Sequence, residues 1–593
     1  MTLLKMNRRS SDLANNNIKI EKLRPLYKAT EHRSFRDLLN YAAETYGDKT
    51  AFIIKTKMAR RGEEAEYREV SFTELSEDVM ALGTAMLQLG LSGSTVSLIG
   101  INSYNWVLGH LATVCGIGTI VPLDKGLPYV ELRNSIEKSR SSVLIFDREH
   151  AELAERIAED GGCIRTFICM DDIPGYICFD SLLKTGRELI AGGNTDYLDI
   201  ETDPEEARIL IFTSGTTSSA KAVMLSQRNI MKNIYALELV EDIRRGDVNM
   251  AFLPYHHTFG STGQFLMLAV GATTVYCDGL KYVQKNLQEY GVSVFVGVPL
   301  IVESLYKKVM AAVKKQGKAE KLNKGIKLSN FLRKLGIDKR RSLFKDVLEP
   351  LGGRLRLIVS GASALDPTVS KTLDAMGITV IQGYGMTECS PVIAAENLKT
   401  MSPGSIGLAI PGTDIEIDSP DENGVGELIV RSPSVMSGYF ENEEATSAAL
   451  KDGWLHTGDL AYKGKGGCIF LCGRSKNMIV LKNGKKVFPE EVEELISALP
   501  YVKENIVYGE RRKEGADDND LVMVAKIVYD PEYMRDFYRA ETPEEVHKIV
   551  GADIERINLR MPKYKSIIRW IVQTEEMIKT TTGKVKRFEE IGR

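Results

Sequence analysis

The sequence predicts an α/β protein: a large N-terminal domain of layered α/β subdomains plus a β-rich subdomain, followed by a small α+β C-terminal domain. Three observations carry this. Short apolar runs of strand length alternate with helical patterns from residue 96 to residue 360, and strands covered on both faces read as continuous runs of that kind. After about Pro403 the pattern changes to paired strands around the turn Asp421-Glu-Asn-Gly424. Beyond Leu471-Cys-Gly-Arg474, about 120 residues carry a strand and helix pattern of their own. The expected division is a flexible lead-in over residues 1–30, a large domain over 31–474 and a small domain over 475–593.

The elements follow in order. A helical pattern covers residues 34–46, and two short strands between residues 51 and 70 flank a charged turn at 58–66. Ser71 and Glu74 have capping-box spacing ahead of a helix whose apolar positions are Leu75, Val79, Leu82, Met86 and Leu89. Strands are expected at residues 96–99, 120–122 and 143–146, with helices around 106–114 and 129–138 between them. The same rhythm returns with strands at 209–212, 249–253, 292–298 and 355–360. The β-rich part has strands at 415–418 and 426–430. The small domain has strands at 478–481, 504–508 and 521–528, and helices at 489–499 and 543–559.

Composition excludes several classes. The 593 residues are 43% hydrophobic and 26% charged, which suits a folded globular chain and not a disordered or collagen-like one. A net charge of -3 gives no global argument for nucleic-acid binding. The eight cysteines are scattered without a CxxC pair, so neither a disulfide scaffold nor a zinc site is expected. There is no apolar secretory segment at the N-terminus and no run of 18–20 apolar residues. The expected location is a reducing, cytoplasmic one. Residues 307–345 stand apart, with fourteen basic residues against Glu320 and Asp338. Two readings are open for this segment: a solvated helical insertion, or peripheral contact with an anionic membrane aided by Leu328, Phe331, Leu332 and Leu335.

The strongest chemical signal is Ile209-Leu-Ile-Phe-Thr-Ser-Gly-Thr-Thr-Ser-Ser-Ala-Lys221, an apolar strand that runs into small hydroxylated residues and a lysine. Such a turn offers N–H and O–H donors to phosphate oxygens, with the lysine as counter-charge. Further along come Tyr384-Gly-Met-Thr-Glu388, Trp454-Leu-His-Thr-Gly-Asp459, Gly473-Arg-Ser-Lys-Asn477, Gly484-Lys-Lys-Val-Phe-Pro-Glu-Glu491 and Thr582-Gly-Lys584. In order and approximate spacing these motifs resemble those of the AMP-forming acyl-activating enzymes. Within that superfamily the chain looks most like the long-chain fatty acyl-CoA synthetases, over about residues 35–590.

The resemblance implies a two-step ligase. A carboxylic acid, here a medium- or long-chain fatty acid, attacks the α-phosphate of ATP to give acyl-AMP and pyrophosphate, and CoA then displaces AMP. It implies ATP, Mg²⁺ and CoA as cofactors, with ATP, a carboxylic acid and CoA as partners, and no nucleic acid. Thr213, Ser214, Gly215, Thr216, Thr217 and Lys221 match the loop that holds the β- and γ-phosphates. Glu388 matches the Mg²⁺ carboxylate and Thr387 the α-phosphate contact. Gly361 and Ala362, with Gly383, Tyr384 and Gly385, match segments that line the adenine. Asp459 matches the ribose acid, suited by its two acceptor oxygens, and Arg474 a second ribose or phosphate contact. His257 matches the histidine beside the acyl carboxylate, and Lys584 the catalytic lysine of a mobile C-terminal domain. Lys476 stands at the hinge. His32, His110, His150 and His547 have no motif context and receive no role.

The departures bear on function. Ser218, Ala220 and Ala222 stand where the family's loop has two glycines and a proline, which leaves the loop less free to adopt positive φ. Ala461 and Lys463 replace the usual glycine and aspartate after Asp459. Acetate-activating relatives carry a tryptophan where this chain has Gly385, which argues for room for a longer acid. Three readings remain open on these grounds: transfer to CoA, transfer to an acyl carrier protein, or a catalytically impaired AMP-binding sensor.

Overall fold

Helix starts fall where hydroxyl caps predict them. Ser34 Oγ accepts from the N–H of Asp37 at 3.2 Å and opens Phe35–Tyr46. Ser71 Oγ accepts from the N–H of Glu74 at 3.0 Å and opens Phe72–Gln88. Each satisfies one N–H that a helix's first turn leaves without an internal partner. The apolar stripe of the second helix is buried from Leu75 to Met86, as its periodicity predicts. The structure, a computed structural model, describes residues 17–58, 64–213, 220–482, 485–512, 520–579 and 585–592.

These elements form the two-domain α/β architecture expected from the sequence. The large domain is built on two extended sheets and a β-rich subdomain. One sheet runs in the order Gly438–Tyr439, Lys221–Ser226, Ala207–Thr213, Gly118–Pro122, Ser94–Ile99, Val143–Phe146, Thr166–Cys169, Ile177–Cys178. It is parallel from Ala207–Thr213 onward and antiparallel at the edge that carries Lys221. The second sheet centres on Thr379–Gly385, Leu357–Ser360, Val294–Gly297, Val248–Ala251 and Thr273–Tyr276, all parallel, with antiparallel strands added at both edges. The continuous apolar runs of the sequence are these doubly covered strands: Val143–Phe146 is buried at every position. One large core joins the sheets through the helices between them, with Phe35 packed edge-on to Phe265 at 4.7 Å.

The β-rich subdomain is antiparallel and pairs Asp414–Asp418 with Gly426–Arg431, then Trp454–Lys463, then Ile469–Arg474. Here the structure corrects the expected lead-in. Ile18–Lys19 adds a strand to this subdomain by pairing with Ile417 and Glu416, and Ile20 and Leu23 are buried. The alternation of apolar and polar residues that would have announced this strand is too short to read.

The small domain has its own apolar core. Val502–Arg511 and Leu521–Tyr529 pair antiparallel, Ile567–Gln573 joins in parallel, and the helices Pro489–Ser497 and Pro543–Leu559 complete the layer. Among the described residues no helix is long and apolar enough to cross a membrane. All eight cysteines are free thiols.

Candidate active site

The phosphate-loop strand and its return form a hairpin. Thr213 ends Ala207–Thr213, Lys221 begins Lys221–Ser226, and the two are cross-strand partners. Thr213 Oγ1 donates to the Lys221 carbonyl at 3.3 Å. Lys138 Nζ donates to the Ala220 carbonyl at 3.0 Å and anchors the end of the loop. Ser214, Gly215, Thr216 and Thr217 lie outside the described residues, as does Lys584.

Lys221 leads to Glu388 through a residue that the sequence motifs did not single out. The ammonium of Lys221 lies over the ring of Tyr439, 4.9 Å from its centroid, a favourable cation–π arrangement. The hydroxyl of Tyr439 donates to Glu388 Oε1 at 2.7 Å. Burial, and then the Glu388 charge, push the Tyr439 phenol up, so it stays protonated and donates. Glu388 sits in the short turn Thr387–Cys389, buried, with its carbonyl accepting from the N–H of Met436 at 2.8 Å. Asn233 Nδ2 holds the far side of that turn through the Val392 carbonyl at 2.8 Å. The Glu388 carboxylate therefore has one oxygen fixed by Tyr439 and a second to offer. An all-oxygen donor set of this kind suits a hard cation that keeps most of its shell for water and phosphate. Tyr439 stands 51 residues from Glu388, so no local signal connects them.

A second network surrounds Asp459. It is the cross-strand partner of Arg474, whose Nε lies 3.1 Å from Oδ1. The hydroxyl of Tyr384 donates to Oδ2 at 2.6 Å. Burial, and then the Asp459 charge, push the Tyr384 phenol up, which keeps it a donor. The buried carboxylate is thus fixed from both sides, and each oxygen keeps a lone pair for a further donor. Lys476, in the turn Ser475–Asn477, feels this cluster: burial and then the Arg474 cation lower its pKa, Asp459 opposes them, and Lys221 lowers it further. Lys476 therefore shares an electrostatic neighbourhood with Lys221.

A Cβ added at Gly361 would lie 2.8 Å from the ring of Phe259 and 3.4 Å from the Gly383 carbonyl, so the segments at 259, 361 and 383 meet edge to edge. Ala362 adopts a positive φ of 72°, a conformation that costs a non-glycine residue strain. His257 stands at the N-cap position of the helix Thr258–Val270, and its side chain makes no capping hydrogen bond. Its loop is clamped by Asn102, which donates to the Leu253 carbonyl at 2.7 Å and accepts from the N–H of Tyr255 at 3.0 Å. The rings of His256 and His257 meet at 4.3 Å, and His256 Nε2 lies 3.3 Å from Asp124 Oδ1. Behind this loop is a small cavity of mixed character, lined by Met250, Phe252, Phe259 and Val296 and by the polar side chains of Asn249, Tyr255 and Gln264.

Gly385 corrects the reading of acid size. A Cβ there would meet the Pro391 carbonyl oxygen at 2.0 Å and Val392 Cα at 2.9 Å. The glycine is required by the close approach of the neighbouring strand, so it carries no information about acyl length. The histidines left without a role are accounted for by packing. His110 is enclosed between Trp106 and Phe265, and burial pushes it down to about 3, so it is neutral. His150 Nδ1 pairs with Asp147 at 2.5 Å, His547 stacks on Trp570 and His32 packs on Tyr41.

A strand that begins at a lysine, a buried carboxylate linked to it through a tyrosine, and a second carboxylate held by tyrosine and arginine suit a nucleotide-handling site in an α/β protein. Comparison with known proteins makes this specific. Residues 39–440 match the model of the AMP-binding enzyme family, and residues 476–590 match that of the AMP-binding enzyme C-terminal domain. The chain belongs to the AMP-binding enzyme family. It is an AMP-forming acid–thiol ligase that works through an acyl-adenylate, with ATP and Mg²⁺ in the adenylating site. It is similar to long-chain-fatty-acid–CoA ligase 5 of Rattus norvegicus, 28% identical over 507 residues that cover 79% of this chain and 72% of that one. It is also similar to a chloroplastic long-chain-fatty-acid–acyl-carrier-protein ligase of Arabidopsis thaliana, 25% identical over 571 residues that cover 82% and 76%. Its fold matches that of the anthranilate CoA ligase AuaEII in complex with anthranoyl-AMP, with a TM-score of 0.74 and 21% identity over 95% of this chain and 97% of that one.

Proposed function

We propose that this ligase activates a medium- or long-chain fatty acid and transfers the acyl group to CoA in the cytoplasm. The observation that carries the reading is the similarity, over about four fifths of this chain, to ligases of long-chain fatty acids.

Each residue then has a task. Lys221 and Thr213, with Ser214, Gly215, Thr216 and Thr217, hold the terminal phosphates. Asp459 accepts from the two ribose hydroxyls, and Tyr384 and Arg474 fix its carboxylate so that it pays no reorganisation on binding. Gly361, Ala362 and Gly383 bring backbone close to the base, with the Tyr384 ring at its edge and Gly385 holding the strand. Glu388, oriented by Tyr439, holds Mg²⁺, and Thr387 contacts the α-phosphate. Bound there, Mg²⁺ neutralises charge on the phosphate oxygens. His257 orients the acyl carboxylate, and Lys584 bridges that carboxylate to the α-phosphate as negative charge builds. The carboxylate oxygen forms the new bond to phosphorus and pyrophosphate leaves. The CoA sulfur then bonds to the acyl carbon, the thiol proton is lost and AMP leaves. Preorganised donors at the α-phosphate are the main source of rate in such a transfer. Lys476 is the hinge about which the small domain turns between the two half-reactions.

An acyl carrier protein is the second reading of the acceptor, supported by the similarity to a carrier-protein ligase. Thioester formation is measured with acids of graded chain length and with CoA or pantetheinylated carrier protein as acceptor. The proposal expects thioester on CoA and a rate that rises with chain length. Thioester only on the carrier protein supports the second reading. Acyl-AMP with neither acceptor used, or AMP binding without acyl-AMP, points to the impaired sensor.

A further inference from the structure

We infer that the outer face of the helix Ala319–Lys334 is a docking surface for an anionic lipid bilayer, lying on the membrane without entering its core. The helix has two sides of opposite character. Its inner side is fixed to the domain: Leu322 is buried, Ser329 Oγ donates to the Ala375 carbonyl at 2.9 Å, Gly325 lies against the Phe344 ring, and Arg333 pairs with Asp374 at 2.5 Å. Residues 322, 325, 329 and 333 recur at helical spacing, so they define one face.

The opposite face carries Leu328, Phe331 and, just past the helix end, Leu335. They are 47%, 59% and 60% exposed and follow at three- and four-residue steps, one stripe over two turns. Ile337 continues it and is also exposed. Large apolar side chains aligned on a solvent face are unfavourable unless something covers them. What covers them is indicated by charge. Lys321, Lys324, Lys327 and Lys334 are exposed around the stripe, and fourteen basic residues stand against two acids over residues 307–345 in a chain of net charge -3. A partner that takes up an aromatic and aliphatic stripe while its border takes up cations is an acyl–headgroup boundary carrying anionic lipid.

The structure also separates the docking charges from the architectural ones. Arg340 pairs with Asp338 and Asp374, each at 2.8 Å, and Arg341 donates to the Leu355 and Gly377 carbonyls at 2.8 and 3.1 Å. Those arginines hold the insertion on the domain. Among the described residues, the lysines of the outer face have no such duty apart from the exposed pair Lys324–Glu320.

The test uses the full chain and sedimentation with vesicles of phosphatidylcholine alone or mixed with phosphatidylglycerol, at low and high salt. The parent protein pellets with the mixed vesicles at low salt and is released by high salt. Each lysine near an anionic leaflet multiplies partitioning about fivefold, so Lys324→Glu/Lys327→Glu/Lys334→Glu, which removes three cations and adds three anions, loses at least roughly a hundredfold. Phe331→Ser/Leu335→Ser also binds less, and its remaining binding is more easily removed by salt. Both variants keep the parental melting temperature and the parental pyrophosphate exchange on a water-soluble acid, because none of these residues lines the site. That exchange is read in the same samples, so loss of docking is distinguished from failure of the proposed chemistry. A parent that stays in the supernatant throughout, or variants that pellet as the parent does, overturns the inference. So does capture by duplex nucleic acid or self-association in place of vesicles.

Discussion

Replacing Tyr439 with phenylalanine removes one oxygen and isolates its work. The hydroxyl donates at 2.7 Å to Glu388 Oε1, and Glu388 is buried, so no bulk water takes its place. A hydrogen bond to a charged group contributes about 1.5–3 kcal/mol, which is about 10–150-fold in an equilibrium or rate constant. The ring remains, so Lys221, 4.9 Å from its centroid, keeps its cation–π contact. The effect should therefore fall on the Glu388 carboxylate and not on the phosphate loop. In pyrophosphate exchange titrated with Mg²⁺ at fixed ATP, Tyr439→Phe should need at least about tenfold more Mg²⁺. Its KM for ATP at saturating Mg²⁺ should move little. Tyr439→Leu, which removes the ring as well, should add a severalfold rise in that KM, as expected for a contact of about 0.5–2 kcal/mol. Parental Mg²⁺ dependence in Tyr439→Phe, in a protein that melts normally, would refute the reasoning. So would identical losses in the two variants.

Asp459→Ala should raise the KM for ATP about tenfold or more while circular dichroism stays unchanged, since two hydrogen bonds to a charged acceptor are lost. Lys584→Ala should cut acyl-AMP formation about 10²–10³-fold and leave thiolysis of supplied acyl-AMP running; equal loss in both half-reactions would count against a small domain that serves them separately. Glu241 gives a pH prediction. Burial, and then the charges of Glu396 and Asp242, push its carboxyl up to about 8 from 4.5, and its Oε2 is buried without a hydrogen-bond partner among the described residues. The folded chain therefore holds a proton that the unfolded chain has lost, and stability falls as pH rises from about 4.5 through about 8. The cost above that window is up to roughly 5 kcal/mol. Glu241→Gln should melt higher than the parent at pH 9 by differential scanning calorimetry, with the gap closing by pH 5; a gap independent of pH would be contrary evidence.

Much of the fold was legible because it is local. The helix over residues 543–559 is found as Pro543–Leu559, where Thr542 and Glu545 cap each other reciprocally. The buried parallel strands announce themselves as runs such as Val143–Phe146. What escaped is what depends on distant pairing. Asn17 donates to Glu416 across 399 residues and helps seat a strand inside the expected lead-in. Ile567–Gln573 lines up beside Leu521–Tyr529 although exposed positions interrupt its apolar pattern. The site divides in the same way. Asp459, Arg474, Tyr384, Glu388 and Lys221 were found through motifs, and the structure brings them into two connected networks. Tyr439, Asn102 and Asp124 act on those motifs from other parts of the chain, and nothing in their own neighbourhoods marks them. Gly385 was read as space for substrate and is space for the backbone of Pro391.

The central claim is that this site joins a fatty acid to AMP. Exchange of labelled pyrophosphate into ATP, measured with and without carboxylic acids of graded length, tests it most directly because it requires acyl-AMP formation and reversal and no acceptor thiol. The account predicts exchange that depends on Mg²⁺ and on the acid, is strongest with long-chain acids, needs more ATP in Asp459→Ala and is lost in Lys584→Ala. Exchange that is absent with every acid, or equal with and without one, would contradict it.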